Sequence, residues 1–115
     1  MSNAEFRPGT PQAKIYRNQA WTSGNGRAVL RLQEDGNFVL YKDNKAAWQG
    51  AGSYPSGQYA VMQDDGNLVV YAEGDKPVWA SNTNGNYGAV LVVQDDCNVC
   101  LYVSGRPIWA TNTAG

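Results

Sequence analysis

Leu32-Gln33-Glu34-Asp35-Gly36-Asn37-Phe38-Val39-Leu40-Tyr41 decides the fold, because it reads as a hairpin and recurs twice without a gap. The other copies are Met62-Gln63-Asp64-Asp65-Gly66-Asn67-Leu68-Val69-Val70-Tyr71 and Val93-Gln94-Asp95-Asp96-Cys97-Asn98-Val99-Cys100-Leu101-Tyr102. In each copy apolar residues alternate on both sides of a short polar centre, which is the period of a half-buried strand. Asp-Gly at that centre is a hairpin signal. A three-residue loop with Gly36 left-handed pairs Gln33 with Asn37. Leu30, Leu32, Phe38 and Leu40 then share one face, and Gln33, Asn37, Val39 and Tyr41 the other, with Asp35 at the tip. A two-residue turn would mix the faces, so the longer loop is preferred. An unbroken nine-residue strand would also gather Gln, Asp, Asn, Val and Tyr on one side. The second copy buries Ala60, Met62, Leu68 and Val70. The third buries Leu91, Val93, Val99 and Leu101, and turns Gln94, Asn98, Cys100 and Tyr102 outward.

Outward from the motif, a tryptophan follows each copy at Trp48, Trp79 and Trp109. The last two copies match further, in Pro77-Val78-Trp79-Ala80-Ser81-Asn82-Thr83 and Pro107-Ile108-Trp109-Ala110-Thr111-Asn112-Thr113. The first departs there, with Trp48-Gln49-Gly50-Ala51-Gly52. A threefold repeat of this length suits several solenoids, but Gly, Asn and Pro break every copy against helix. A closed all-β arrangement needs no capping units. A third strand is expected through each Trp, and a fourth ahead of each hairpin, at Ile15 to Ser23 in the first repeat. Three four-stranded sheets that each bury one face must meet on a common axis. The three tryptophans are read as filling that axis rather than as a surface for ligand stacking, since large aromatics dominate cores. Trp21 has no counterpart in the other copies and stays unassigned.

Composition excludes several functions. The 115 residues suit one domain. Net charge is −1, from 9 Lys+Arg against 10 Asp+Glu, without a basic stripe, so nucleic-acid binding has no electrostatic footing. No apolar run approaches the ~20 residues of a membrane span, and no membrane insertion is expected. Histidine is absent, which removes the commonest general base and metal ligand. Cys97 and Cys100 lack the two further ligands of a zinc site and should face opposite ways, so neither metal binding nor a mutual disulfide is expected. No cofactor is expected. Asp35, Asp65 and Asp96 belong to separate repeats, so no glycosidase-type acid pair is expected and the chain is read as no enzyme. Residues 1–4 read as the remnant of an expression tag and residues 5–14 as an N-terminal extension, ahead of a domain over residues 15–115. No signal-peptide pattern follows.

The outward set offers amides, a carboxylate, a phenol and a small apolar patch. Sugars need that mix, because their hydroxyls donate and accept while their C–H faces prefer apolar surface. An ionised carboxylate accepting from a hydroxyl makes the stronger, charge-assisted bond. Asp at a turn tip also stabilises the turn alone. Hairpin stability does not require Gln first and Tyr last three times over.

The three copies resemble the Gln-x-Asp-x-Asn-x-Val-x-Tyr motif of the bulb-type (snowdrop-agglutinin-like) mannose-binding lectins, and the resemblance runs from about Ile15 to Gly115. It implies a β-prism II fold, three four-stranded antiparallel sheets about a pseudo-threefold axis. It implies metal-independent binding of mannose or mannose-rich glycans. By resemblance, Gln33 would bond the mannose 3-hydroxyl, Asp35 and Asn37 the axial 2-hydroxyl, and Tyr41 the 4-hydroxyl, with Val39 along the C3–C4 edge. Gln63, Asp65, Asn67, Val69 and Tyr71 would form a second site, and Gln94, Asp96, Asn98, Cys100 and Tyr102 a third. Cys100 stands where the motif has Val, which makes the third site the weakest. The disulfide frequent in plant members is missing, since Gly36 and Gln58 occupy its positions. Ala28 would be the partner position of Cys97, so no intrachain bridge is expected. The resemblance further implies a homodimer by exchange of the C-terminal strand, about Arg106 to Thr113. The sequence leaves localisation unknown, with secreted or cell-surface action the favoured expectation. Competing readings are a bacteriocin-type antibacterial relative docking on surface polysaccharide, and an interaction module with vestigial sites.

Overall fold

The structure is a computed structural model that describes residues 3–115. Twelve strands occur among the described residues. They are β1 (Ala4–Phe6), β2 (Lys14–Tyr16), β3 (Gln19–Thr22), β4 (Ala28–Leu32), β5 (Phe38–Lys42), β6 (Lys45–Gln49), β7 (Tyr59–Met62), β8 (Leu68–Ala72), β9 (Lys76–Ala80), β10 (Val90–Val93), β11 (Val99–Val103) and β12 (Arg106–Ala110). They form three four-stranded sheets, ordered β3-β4-β5-β6, β2-β7-β8-β9 and β1-β10-β11-β12. Every pairing is antiparallel.

The three hairpins keep the expected register. Leu32 faces Phe38 and Leu30 faces Leu40; Met62 faces Leu68 and Ala60 faces Val70; Val93 faces Val99 and Leu91 faces Leu101. All twelve are at most 1 % exposed and form one core with Trp21 and Ile15. Each of these strands turns one apolar face inward, and three such faces cover one another. Trp48, Trp79 and Trp109 stand opposite Leu40, Val70 and Leu101. Their ring centroids lie 5.3, 5.6 and 5.8 Å apart in edge-to-face pairs, a triangle on the pseudo-threefold axis. That geometry suits the ring quadrupoles. The tryptophans are partly buried, packed against one end of the core. Trp21 is 1 % exposed, donates its indole N–H to Gln12 O at 2.6 Å, and touches Phe6 and Phe38.

The fourth strands overturn one expectation. They do not precede each hairpin. Residues 50–58 and 81–89 contain no strand, because Gly50-Ala51-Gly52-Ser53-Tyr54-Pro55-Ser56-Gly57 and Ser81-Asn82-Thr83-Asn84-Gly85-Asn86 favour turns. All three fourth strands come instead from the first 22 residues, in reverse order. β1 completes the third sheet, β2 the second and β3 the first. The segment Ile15 to Ser23, expected as one strand, therefore parts between two sheets. Residues 5–14, read from sequence as an extension, carry most of β1, a 3-10 turn at Pro11–Ala13, and the start of β2. Of the four residues read as a tag remnant, Met1 and Ser2 lie outside the described residues, while Ala4 pairs with Val93.

β12 pairs with β11 of its own chain. Cys97 belongs to the core, whereas Cys100 lies outside that cluster; both are buried and free.

Candidate functional site

Each motif sits on the outer side of its own sheet. The loop geometry is the same three times. Gln33 N donates to Asn37 O at 2.9 Å and Gly36 N to Gln33 O at 2.9 Å. The corresponding bonds span Gln63 to Asn67 and Gln94 to Asn98. Gly36, Gly66 and Cys97 hold positive φ of 89°, 90° and 75°, the left-handed residue of a three-residue hairpin. Cys97 takes a conformation that disfavours a side chain.

The Asp carboxylate braces its own loop. Its Oδ1 accepts from the Asn backbone N–H, at 3.0 Å for Asp35 and Asp65 and 2.9 Å for Asp96. This is the turn-stabilising bond expected of Asp. The Asn37 amide N–H, and then the side-chain amide of Gln33 at 3.1 Å, hold the Asp35 carboxyl below its ordinary range. Its ionised form therefore supports the folded hairpin through the usual aspartate range, and that support is lost as pH falls through the lowered value. An NMR acid titration of the Asp35 side chain is expected to give a midpoint below the ~3.9 of a free aspartate. A midpoint at or above that figure would contradict the loop geometry.

Gln and Tyr are joined in every copy. The Tyr41 hydroxyl donates to Gln33 Oε1, while Gln63 and Gln94 donate from Nε2 to Tyr71 and Tyr102 at 2.7 Å. The pairing of the third strand shifts register at each motif Tyr. Bulges of this kind re-aim side chains beside functional sites. Val39, Val69 and Cys100 are 4, 2 and 4 % exposed, so the apolar position presents little area in any copy. Burial raises the Cys100 thiol above its ordinary range, partly opposed by the neighbouring Tyr102 hydroxyl.

The Asn side chains reveal residues that the motif alone did not. Asn67 Oδ1 accepts from Ser81 Oγ at 3.2 Å and Thr83 N at 3.2 Å. Asn98 Oδ1 accepts from Thr111 Oγ1 at 3.2 Å and Thr113 N at 3.3 Å. The same hydroxyls accept from the backbone of Leu68 and Val99. The repeated Ser/Thr-Asn-Thr after Trp was visible in sequence, but its role was not. In the first copy Gly50 takes the backbone place, donating N–H to Phe38 O at 2.8 Å, and Ser53, three residues on, supplies the hydroxyl. Nothing in the sequence marks Ser53. Asn37 also differs in donating Nδ2 to Gln49 Oε1 at 3.0 Å.

All three motifs open onto clefts walled by the N-terminal segment. Asn18 joins Arg31, Gln33, Asp35 and Tyr41 at the first. Thr10 and Lys14 join Gln63 and Asp65 at the second. Asn3 and Glu5 join Gln94 and Tyr102 at the third. These wall residues do not repeat, so no pattern announced them. Among the described residues no group of three or more His, Cys, Asp or Glu is placed to hold a metal ion.

Three sheets about one axis, each carrying the same amide, carboxylate and phenol set outward, define a lectin of the β-prism II class. The chain is 40 % identical over 104 residues to a mannose-specific lectin of Aloe arborescens, covering 86 % of this chain and 90 % of that one. It belongs to the bulb-type mannose-binding lectin family. No family model matches it. Among solved structures it is similar to the snowdrop (Galanthus nivalis) mannose-specific agglutinin complexed with methyl-α-D-mannoside, at TM-score 0.75 and 37 % identity, covering 96 % and 97 % of the two chains. A monomeric mannose-binding lectin of Gastrodia elata matches at TM-score 0.79 and 31 % identity, covering 96 % and 98 %. A domain-swapped lectin dimer of Mycobacterium smegmatis matches at TM-score 0.52 and 40 % identity, covering 91 % and 95 %.

Proposed function

We propose that the chain is a mannose-binding lectin that needs no metal and recognises α-mannose-containing glycans through up to three sites. Its action is binding, not catalysis. The sites are Gln33, Asp35, Asn37, Val39 and Tyr41; Gln63, Asp65, Asn67, Val69 and Tyr71; and Gln94, Asp96, Asn98, Cys100 and Tyr102. One observation carries the reading: Ser81 and Thr83 fix the Asn67 side-chain carbonyl while Asp65 Oδ1 accepts from the Asn67 backbone N–H, which holds an amide and a carboxylate together on the outer side of the loop. A donor and an ionised acceptor side by side suit one hydroxyl that both donates and accepts. The axial 2-hydroxyl distinguishes mannose from glucose, and this pair would read it. Asn98 and Asp96 repeat the arrangement, while in the first copy Asn37 gives one amide hydrogen to Gln49 and both Asp35 oxygens accept from Gln33. The mannose-specific relatives support the choice of sugar.

A few net hydrogen bonds at ~1 kcal/mol each give millimolar monosaccharide binding, roughly −4 kcal/mol. Calorimetric titration with methyl α-mannoside is the test. Asp65→Asn and Asn67→Ala are each expected to abolish one site and spare the others. Wild-type silence toward methyl α-mannoside and toward mannose-rich glycans would overturn the proposal.

Weak sites gain avidity when several meet one glycan. A homodimer made by exchanging residues 106–113 would supply them, and the mycobacterial relative is a domain-swapped dimer. The hinge would be the turn at Ser104-Gly105. Serine sits there at φ 50°, whereas the equivalent turns use Asp43-Asn44 and Gly74-Asp75, residues better suited to positive φ. Opening that turn relieves Ser104 and keeps the strand's bonds. Light scattering is expected to give twice the 12.5 kDa chain mass. The single-chain mass at every concentration up to the millimolar range would overturn the dimer.

A further inference from the structure

The second site differs from the others in what lies beside its tyrosine. Tyr59 faces Tyr71 across the β7–β8 pair, where Val29 faces Tyr41 and Val90 faces Tyr102. The Tyr59 and Tyr71 rings are stacked, with centroids 5.2 Å apart and planes 25° apart. The Tyr59 hydroxyl donates to Asp75 Oδ1, which fixes the ring and pushes its pKa up to about 12. One strand further out, Tyr16 faces Tyr59 with centroids 6.2 Å apart. The corresponding residue of the first sheet is Thr22, opposite Val29. Tyr16 is 53 % exposed on the outer side, because Ile15 before it takes the buried place. Lys14 Nζ lies 4.2 Å from the Tyr59 centroid and 5.0 Å from that of Tyr16.

An aromatic surface thus runs Tyr71, Tyr59, Tyr16, leading away from the motif on the side of Tyr71. Its outer end carries an open ring and an ammonium donor, while Asp75 holds the middle ring through its hydroxyl. A pyranose takes that combination, its C–H face on the ring and a hydroxyl oxygen accepting from the ammonium. We infer that Lys14, Tyr16 and Tyr59, the last held by Asp75, form a second subsite that holds the next residue of an oligosaccharide whose mannose occupies Gln63–Tyr71. The inference rests on the proposed sugar site and adds what lies next to it. It makes the second site selective for a disaccharide, while the first and third read one residue. The bare alternative is a cross-strand aromatic pair that only steadies the sheet.

The test is an NMR titration of the full chain, reading the Asn67 side-chain amide so that the second site is observed alone. The probes are methyl α-mannoside and the methyl glycosides of α-linked mannobioses of each linkage. One linkage is expected to bind about fivefold tighter than the monosaccharide, the factor of one aromatic contact. Tyr16→Ala is expected to erase that gain and leave the methyl α-mannoside affinity unchanged, and Tyr16→Phe to keep it. Three results overturn the subsite: no mannobiose exceeds the monosaccharide, the gain survives Tyr16→Ala, or Tyr16→Ala weakens both ligands equally. If Asn67 responds to no sugar, the site reading fails first and the subsite with it.

Discussion

Phe38→Ala is expected to lower the unfolding free energy by about 4 kcal/mol, at the upper end of large-to-small core substitutions. Phe38 has no exposed surface and touches three of the four tryptophans, with centroids 6.3 Å from Trp21, 6.0 Å from Trp48 and 5.6 Å from Trp79. Its threefold equivalents are Leu68 and Val99, so the aromatic volume at this level comes from the first repeat alone. The cavity would open between two sheets and the axis, where the edge-to-face tryptophans cannot close inward without losing their own contacts. Against a total of about 5–15 kcal/mol, such a loss leaves the protein marginal. Urea unfolding followed by tryptophan fluorescence measures it. A loss under about 2 kcal/mol would mean that the core repacks and that Phe38 is not its keystone.

Gly66→Ala is expected to cost about 3 kcal/mol and to disorder the second motif. At φ 90° any side chain pays roughly 1–2 kcal/mol. A Cβ there would also stand 2.3 Å from Asn86 O, so the segment carrying Gly85 and Asn86 must move. Both residues donate their backbone N–H to Asp65 O, at 2.9 and 3.1 Å, and each lost bond costs about 1 kcal/mol. Asp65 is the residue proposed to accept the sugar hydroxyl, so binding at that site should fall with stability. Gly74→Ala is the control. Gly74 has φ 76° but nothing within 4 Å of its missing Cβ, so only the conformational cost of about 1 kcal/mol remains. Equal losses for the two variants would show that the close approach of Asn86 is unimportant.

The hairpins and the grouping of the motif side chains were the legible parts, and for one reason. Period-two alternation is local, so Leu30, Leu32, Phe38 and Leu40 announce their inward face without knowledge of any other segment. Once the loop length is fixed by keeping that face clean, Gln33, Asn37, Val39 and Tyr41 must lie together outside. The tryptophans were placed by repetition, since one axis is the only position three equivalent residues can share. The supporting hydroxyls were half legible. Ser81 and Thr111 repeat, but Ser53 reaches the same place by a different path through Gly50-Ala51-Gly52.

By itself, then, the sequence determined three β-hairpins with one polar constellation each, because strand alternation and turn chemistry act between near neighbours. Only the tertiary structure decided how the sheets are completed and how the surroundings of the three motifs differ. The first 22 residues carry no repeat, and short strands such as Ala4–Phe6 and Lys14–Tyr16 have no preference strong enough to name a partner. Their partners are set by which sheet edges the turn-rich linkers leave open. That choice brings Lys14 and Tyr16 beside Tyr59 at one site and leaves Thr22 and Glu5 at the others, so threefold motifs become three unlike clefts.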